Sequence, residues 1–431
     1  MRIENAGGEV RVAGNGEGAA GRMRTGLPTP PSQPAIERGD SGELTPLTDE
    51  QREIVELARR FARDELAPHA AEWDREARFD RSVAEKLGAL GFLGMLIPEE
   101  YDGLGLDTLT YLLALEEIAV GDASTAVLMS VHNSLPTQMI LHFGSEDQKE
   151  RYLRPMARGE KIGAFALSEP ESGSDAASLR CRAVRDGDDW VLTGTKSWVT
   201  SGSVADVIVV IARTSPLDPA HRSRGISAFL VTPDLPGFHV GKKEDKMGLR
   251  ASPTVQLNFD GFRVPAANLL GEEGQGFIYA MKSLDNGRLG IAAQAVGIAR
   301  AALEHALDYT AQRQQFGEPI RNFEAIQFKI ADMGSRIASS RALLHATATL
   351  KDHGGSTTLY GAMSKLLASE TAMWVTTQAV QLFGGYGYVK DYPVERYFRD
   401  AKVTEIYEGT SEIQRIVIAR ELYQERAERA P

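Results

Sequence analysis

The sequence predicts an α+β protein built from an N-terminal helical domain, a central β-domain and a C-terminal helical bundle. Two observations lead there. Apolar residues recur at helical spacing over about 46–163 and again over 276–431, whereas over 164–275 they form short, β-branched runs. Those runs follow one another without intervening helices, which separates this pattern from an alternating parallel α/β fold. At 431 residues with 42% hydrophobic side chains, the chain is long enough for two or three domains.

Residues 1–45 stand apart. The stretch "GNGEGAAGRMRTGLPTPPSQPAIERGDSGEL" is rich in Gly, Pro and Ser and poor in large apolar residues, the composition of a flexible tail. It lacks the apolar run of a secretory signal, and its acidic residues suit an organelle transit sequence poorly. Gly16, Gly18 and Gly21 spell GxGxxG, but the Pro-rich segment that follows offers no helix to complete a dinucleotide site.

Order begins at "LTPLTDEQREIVELARRFARDELAP". Thr48 and Gln51 form a capping box, and Ile54, Ala58, Phe61, Ala62 and Leu66 make an apolar face that Pro68 is expected to end. Further helical stretches follow to "SEDQKERYLRPMARG". The β-domain opens with "RCRAVRDGDDWVLTGTKSW", an alternating hairpin turning at Asp186-Gly187. "ADVIVVIAR", "GISAFLVTP", "GFHVGKK" and "TVQLNFDGFRVP" add strands of a sandwich or barrel. Three long helical patterns then read as an antiparallel bundle, the last stopped by Gly384-Gly385.

Composition removes several classes of function. A net charge of −11 without a dense basic run argues against general nucleic-acid binding. The single Cys181 allows no intrachain disulfide and suits a reducing compartment. Eight scattered histidines, with no HExxH and no Cys/His cluster, give no expectation of a metal site. No apolar run approaches the length of a membrane span.

Four stretches carry candidate chemistry. "ALSEPESGSDAAS" presents hydroxyls at Ser168, Ser172 and Ser174 and free N–H groups around Gly173, suited to a phosphate or a heterocycle edge, or else is a polar interdomain loop. In "TKSWVTSG", strand alternation would turn Trp198 and Thr200 to one side, toward a ligand or simply as part of a strand. "QLFGGYGYVKDYPVERYFRD" is punctuated by glycines that permit close backbone approach, or forms a turn followed by the ion pair of Arg396, Arg399 and Asp400. In "TEIYEGTSEIQR", Gly409 is a helix stop, and Ser411 with Gln414 reads as a capping box for a helix with the stripe Ile413, Ile416, Val417 and Leu422. Glu405 then closes one helix, Glu412 lies in the first turn of the next, and Glu408 sits at the break. A carboxylate at a rigid break suits catalysis; the alternative is three solvated charges at a turn.

Together, "ALSEPESGSD", "WVTSG", "LDNGRLGIAAQAVGIA", "RQQFGEPI", "QLFGGYGYVKDYPVERYFRD" and "IYEGTSEIQR" closely resemble, in order and spacing, the acyl-CoA dehydrogenase family over roughly residues 46–425. "GISAFLV", "GKKEDKMGLR" and "YEGTSEIQR" look most like its short-chain, butyryl-type members. The resemblance implies a C-terminal bundle of four-helix type, with FAD between bundle and β-domain. It also implies oxidation of an acyl-CoA to the trans-2-enoyl thioester, with electrons passed to an electron-transfer flavoprotein. Glu408 is similar in position to the family's α-proton base. The family's other base position falls at Gly287, which has no side chain to act. An apolar pocket should raise the Glu408 pKa toward working pH.

The other roles follow by the same resemblance. Leu167 and Ser168 would meet the flavin pyrimidine edge, and Ser174 the CoA and flavin phosphates. Trp198, Val199 and Thr200 would pack on and hydrogen-bond the isoalloxazine. Asp285 and Arg288, with Glu408 and Gly409, would contact the acyl-CoA. Arg313, Phe316, Glu324, Gln381, Gly384 and Gly385 would hold the adenosine end of a FAD bound mainly by a neighbouring subunit, bordered by Thr410, Ser411 and Glu412. A homotetramer, in the cytoplasm or the mitochondrial matrix of a eukaryote, is implied. Glu324 departs from the family's usual glutamine and brings another negative charge near a phosphate-rich cofactor. An oxidase or specialised-metabolism flavoenzyme on this scaffold, or a non-catalytic acyl-CoA-binding module, are the competing readings.

Overall fold

A computed structural model describes residues 44–428; the tail and its GxGxxG lie outside the described residues. Thr48 caps α1 (Asp49–Phe61) through reciprocal hydrogen bonds with Gln51. Pro68 does not end the helix. The chain passes through a π-helical turn at Ala62–Leu66 and continues as α2 (Ala67–Glu76). A proline lacks an N–H and crowds the preceding turn, and the wider turn ahead of it absorbs both effects. α3 (Arg81–Ala89) follows, then α4 (Thr108–Gly121), α5 (Ala123–Ser134) and α6 (Pro136–Phe143), with α4 and α5 buried nearly all round. The proline device recurs at Pro155, where α7 (Glu146–Gln148) runs through a π turn at Lys149–Leu153 into α8 (Arg154–Ala157).

The central strands are β1 (Gly163–Ala166), β2 (Arg182–Asp186), β3 (Asp189–Thr200), β4 (Val207–Arg213), β5 (Ile226–Val231), β6 (His239–Lys243), β7 (Thr254–Pro265) and β8 (Leu269–Leu270). They form one eight-stranded sheet in the order β6-β7-β3-β2-β4-β5-β8, with β1 parallel to β4, instead of two separate sheets. The hairpin turns at Gly187-Asp188, one residue later than expected: Asp186 pairs with Asp189, and Gly187 takes the left-handed conformation at φ +62. Strand β4 is buried on both faces. Ile208, Val210 and Ala212 meet Trp190, Phe229 and Phe262 within the sheet's own core, so the sheet folds on itself. Val207, Val209 and Ile211 meet Met139 of α6 and Met156 of α8.

The bundle comprises α9 (Gly276–Gln312), the small β9 (Gln314–Gln315) and β10 (Glu318–Pro319) hairpin, α10 (Glu324–Asp352), α11 (Thr358–Phe383), α12 (Val394–Thr404) and α13 (Ser411–Glu428). α11 packs against α9, α10, α12 and α13, and α4 and α5 pack on α9, so N- and C-terminal helices share one core. A buried ion cluster ties them further. Glu116 of α4 accepts from Arg341 (2.7 Å) and His345 (2.8 Å) of α10, and Glu117 meets Arg300 of α9 (2.9 Å). Among the described residues, no helix is long and apolar enough to cross a membrane.

Candidate active site

The break between α12 and α13 is built much as its residues suggest. Glu405 caps α12 and pairs with Lys402 (2.6 Å), Glu412 lies in the first turn of α13, and Glu408 sits between. Three details differ. Thr410, not Ser411, caps α13: its Oγ1 accepts from the Ile413 N–H (3.3 Å), while the Ser411 hydroxyl is buried without a partner. Gln414 instead turns back to the carbonyls of Glu408 (3.1 Å) and Gly409 (3.0 Å). Of the expected stripe, Val417 is buried but Ile416 and Leu422 are 63% and 46% exposed. Nor does Gly409 stop a helix, because α12 has already ended at Thr404. Glu408 (φ +51) and Gly409 (φ +90) form a left-handed pair that turns the chain, a conformation costing a residue like glutamate about 1–2 kcal/mol. The buried Lys365 of α11 secures that turn, its Nζ donating to the Gly409 carbonyl at 2.8 Å.

This turn aims the Glu408 carboxylate inward. Both oxygens are buried and have no hydrogen-bond partner among the described residues. They lie over Gly287 of α9, where a Cβ would fall 1.8 Å from Oε2. Burial pushes the Glu408 pKa up to about 7, against the opposing pull of Lys365 and Arg288. Beside it, Arg288 Nη1 meets Asp285 Oδ1 at 2.6 Å, its Nε remains unpartnered, and the Tyr407 hydroxyl donates to Gln294. A Cβ on Gly290 would lie 2.3 Å from the Ser130 hydroxyl and 3.5 Å from that of Tyr111, and both hydroxyls are buried without partners. A partnerless carboxylate titrating near neutrality, next to an incompletely satisfied arginine, has the properties of a general base in a site awaiting a ligand.

A second group gathers after β1. Ser168 and Leu167 are half-buried; the Ser168 carbonyl accepts from Ser197 N–H (2.8 Å) and that of Leu167 from Lys196 Nζ (2.9 Å). Lys196 also pairs with Glu169 (2.7 Å), which accepts from the N–H groups of Arg180 (2.6 Å) and Cys181 (2.9 Å). The Ser172 hydroxyl is spent internally on the Asp175 carbonyl (2.8 Å), whereas Ser174 is exposed. Trp198 and Thr200 do not share a face by strand alternation. The β3–β7 register shifts between Lys196 and Val199, and Trp198 at φ +56 swings its indole out to 59% exposure while Val199 is buried and Thr200 pairs with Thr254.

A third group lines a cavity of about 640 Å3 at the ends of α9 and α11, where Arg313, Gln381, Gly384 and Gly385 come together with Tyr309 and Tyr386. The Arg313 guanidinium lies 5.5 Å from the Tyr386 ring, and nothing stands within 4 Å of where either glycine's Cβ would be. Phe316 and Glu324 are not part of this lining. Phe316 (φ +56) projects from the hairpin turn at 96% exposure, and Glu324 opens α10, where its charge complements the helix N-terminus. The end of the glycine-rich stretch is structural: Arg399 pairs with Asp74 (2.7 Å), and Asp400 accepts from the Leu249 N–H (2.6 Å).

Residues 48–160, 164–262 and 274–423 match, respectively, the N-terminal, middle and C-terminal domains of acyl-CoA dehydrogenases. The chain belongs to the acyl-CoA dehydrogenase family. It is 51% identical over 376 residues to the short-chain specific acyl-CoA dehydrogenase of Rattus norvegicus, spanning 87% of this chain and 90% of that one. The acyl-CoA dehydrogenase of Bacillus subtilis is 48% identical, over 87% and 98%. Among solved structures, butyryl-CoA dehydrogenase from Megasphaera elsdenii superposes with a TM-score of 0.85 at 45% identity, over 88% and 99%. As an acyl-CoA dehydrogenase the protein is an FAD-dependent oxidoreductase. The residues present fit that cofactor: an open glycine cradle beside an arginine suits its phosphates, and the outward-turned indole of Trp198 offers a flat apolar face.

Neither Lys365 nor the Glu169–Lys196 pair stands out among the motifs, although the position of Lys365 carried a signal. Lys365 occupies the stripe Gly361, Lys365, Ala368, Ala372, Val375 and Ala379, all buried, where a lone charge among small residues marks a specific partner.

Proposed function

We propose that this acyl-CoA dehydrogenase oxidises short-chain acyl-CoA thioesters to trans-2-enoyl-CoA in fatty-acid β-oxidation, with Glu408 taking the α-proton. The observation that carries the reading is the buried, partnerless Glu408 carboxylate held over Gly287 with a pKa pushed up to about 7. A base of that strength is about half ionised at neutral pH, so it can both take up and hold a proton. Bound FAD would supply the acceptor for the hydride that leaves the β-carbon. Asp285, Arg288, Ser174 and the Gly409 backbone orient the CoA thioester, so that the α-hydrogen faces Glu408. The short-chain preference is supported by the named activity of the rat and Megasphaera relatives.

In the same reading, Leu167, Ser168, Trp198, Val199 and Thr200 hold the flavin ring, while Arg313, Phe316, Glu324, Gln381, Gly384 and Gly385, with Thr410, Ser411 and Glu412, contact FAD across a subunit boundary. The exposed Phe316 suits a partner-facing role. The active form is then a homotetramer, its electrons leave to an electron-transfer flavoprotein, and it works in the cytoplasm, or in the mitochondrial matrix of a eukaryote. Anaerobic mixing with thioesters from butyryl- to palmitoyl-CoA, followed by flavin absorbance, tests the proposal. Butyryl-CoA should bleach the flavin fastest, and Glu408→Gln should stay yellow without bleaching. Preference for long chains would remove the substrate class, and ordinary bleaching by Glu408→Gln would remove the base.

A further inference from the structure

We propose that Lys365 is the positioning residue of the base: through the Gly409 carbonyl it fixes the turn that aims Glu408, and through its charge it sets the proton affinity of the carboxylate. This rests on Glu408 being the base. Three observations point to it. Lys365 is buried in the small-residue stripe of α11, an unfavourable place for an ammonium unless it meets specific partners. Among the described residues the one hydrogen bond of its ammonium, at 2.8 Å, goes to the carbonyl next to Glu408, on the left-handed pair whose conformation needs outside support. Gln414 shares that carbonyl and the one before it, so α11 and α13 clamp the turn from two sides.

The charges around the carboxylate are few. Facing Glu408 are Lys365 from α11, Arg288 from α9, Tyr111 from α4 and its neighbour Tyr407. Facing Lys365, besides Glu408, are Glu405, Glu412 and Arg288. Burial lowers the Lys365 pKa to about 8, with Glu408 first among the groups that restrain the fall, so the ammonium is still charged where the carboxylate titrates. Arg288 is committed to Asp285 at 2.6 Å, leaving Lys365 as the cation anchored on the turn itself.

The test is the pH profile of flavin reduction by the thioester that reduces wild type fastest, compared across Lys365→Gln and Lys365→Arg. Both side chains carry N–H donors, although the glutamine amide is one bond shorter than the lysine, and only arginine keeps the charge. Lys365→Gln should move the acid limb upward by about one pH unit, the size expected for losing one nearby opposite charge. Lys365→Arg should stay within roughly a third of a unit of wild type, since it preserves that charge. A merely structural lysine would alter rate or yield without displacing the limb. Coincident wild-type and Lys365→Gln profiles, or an arginine profile displaced as far as the glutamine one, would overturn the proposal. If Lys365→Gln does not accumulate as folded protein, Lys365→Met, which removes the same charge with an apolar side chain suited to the buried stripe of α11, is measured in its place, and an acid limb that coincides with that of wild type overturns the proposal. Glu408→Gln is measured alongside. Its ordinary activity would defeat the base assignment, whereas its inactivity with unmoved Lys365 profiles defeats only this inference.

Discussion

Gly287 and Glu408 meet at one spot although three helices, α10 to α12, lie between them in sequence, and the missing side chain of the first makes room for the second. Gly287→Ala should therefore act almost entirely on chemistry. A Cβ 1.8 Å from Oε2 must push the carboxylate aside, and a misplacement of about 1 Å lowers turnover on the order of a hundredfold. Alanine within a helix meanwhile adds about 0.5–1 kcal/mol of stability where it fits, so comparison of kcat with Tm separates the two effects. Glu408 also has a stability signature. The unfolded chain ionises it near the ordinary carboxylate value, while the folded protein retains the proton to about pH 7. Folded protein thus binds more protons across that interval, and stability falls as pH rises through it, by on the order of 3 kcal/mol once the folded group is ionised. Glu408→Gln should raise Tm over wild type at pH 8 and lose that advantage by pH 4; an equal gain at both would assign the effect elsewhere. At this scale the sequence already marks Glu408, because a glutamate next to glycine at a helix break is a local feature. Its partners were not legible: Lys365 lies on another helix, and only folding brings its Nζ to Gly409.

At the scale of elements, the Lys196–Glu169 pair fixes the loop after β1 to β3. Lys196→Met leaves a buried carboxylate with two N–H donors and no cation, a change that typically costs 3–5 kcal/mol. Urea unfolding should register that loss, and FAD retained after gel filtration should fall with it. Helices and strands were readable wherever periodicity or a cap is local, as at Thr48–Gln51 and in the doubly buried β4. The misses share a cause. Pro68 signals a stop only if the turn before it is α-helical, and the chain uses a π turn instead. Trp198 and Thr200 share a face only in a regular strand, and a bulge intervenes. Each is an extra residue absorbed into a regular element, which alternation and 3.6-residue spacing assume away.

For the whole molecule, the proposed FAD contacts divide into the β1–β3 group, the Glu408 group and the Arg313 cavity. The proposed sharing of FAD between subunits predicts that Arg313→Ala lowers flavin occupancy and weakens the tetramer together; occupancy unchanged by absorbance would count against that arrangement. The outward-turned rings carry a consequence for the protein's life before it holds flavin. Phe316 and Trp198 are held out by left-handed backbone, and Tyr388 and Tyr423 add further exposed aromatic surface. In chains that outrun the supply of flavin, the rings proposed to pack on the cofactor or on a partner subunit stay in water, and apolar surface left uncovered in this way favours association between chains. A cell short of riboflavin should accordingly lose this enzyme as protein, through clumping and proteolysis, before the surviving molecules show any fall in turnover.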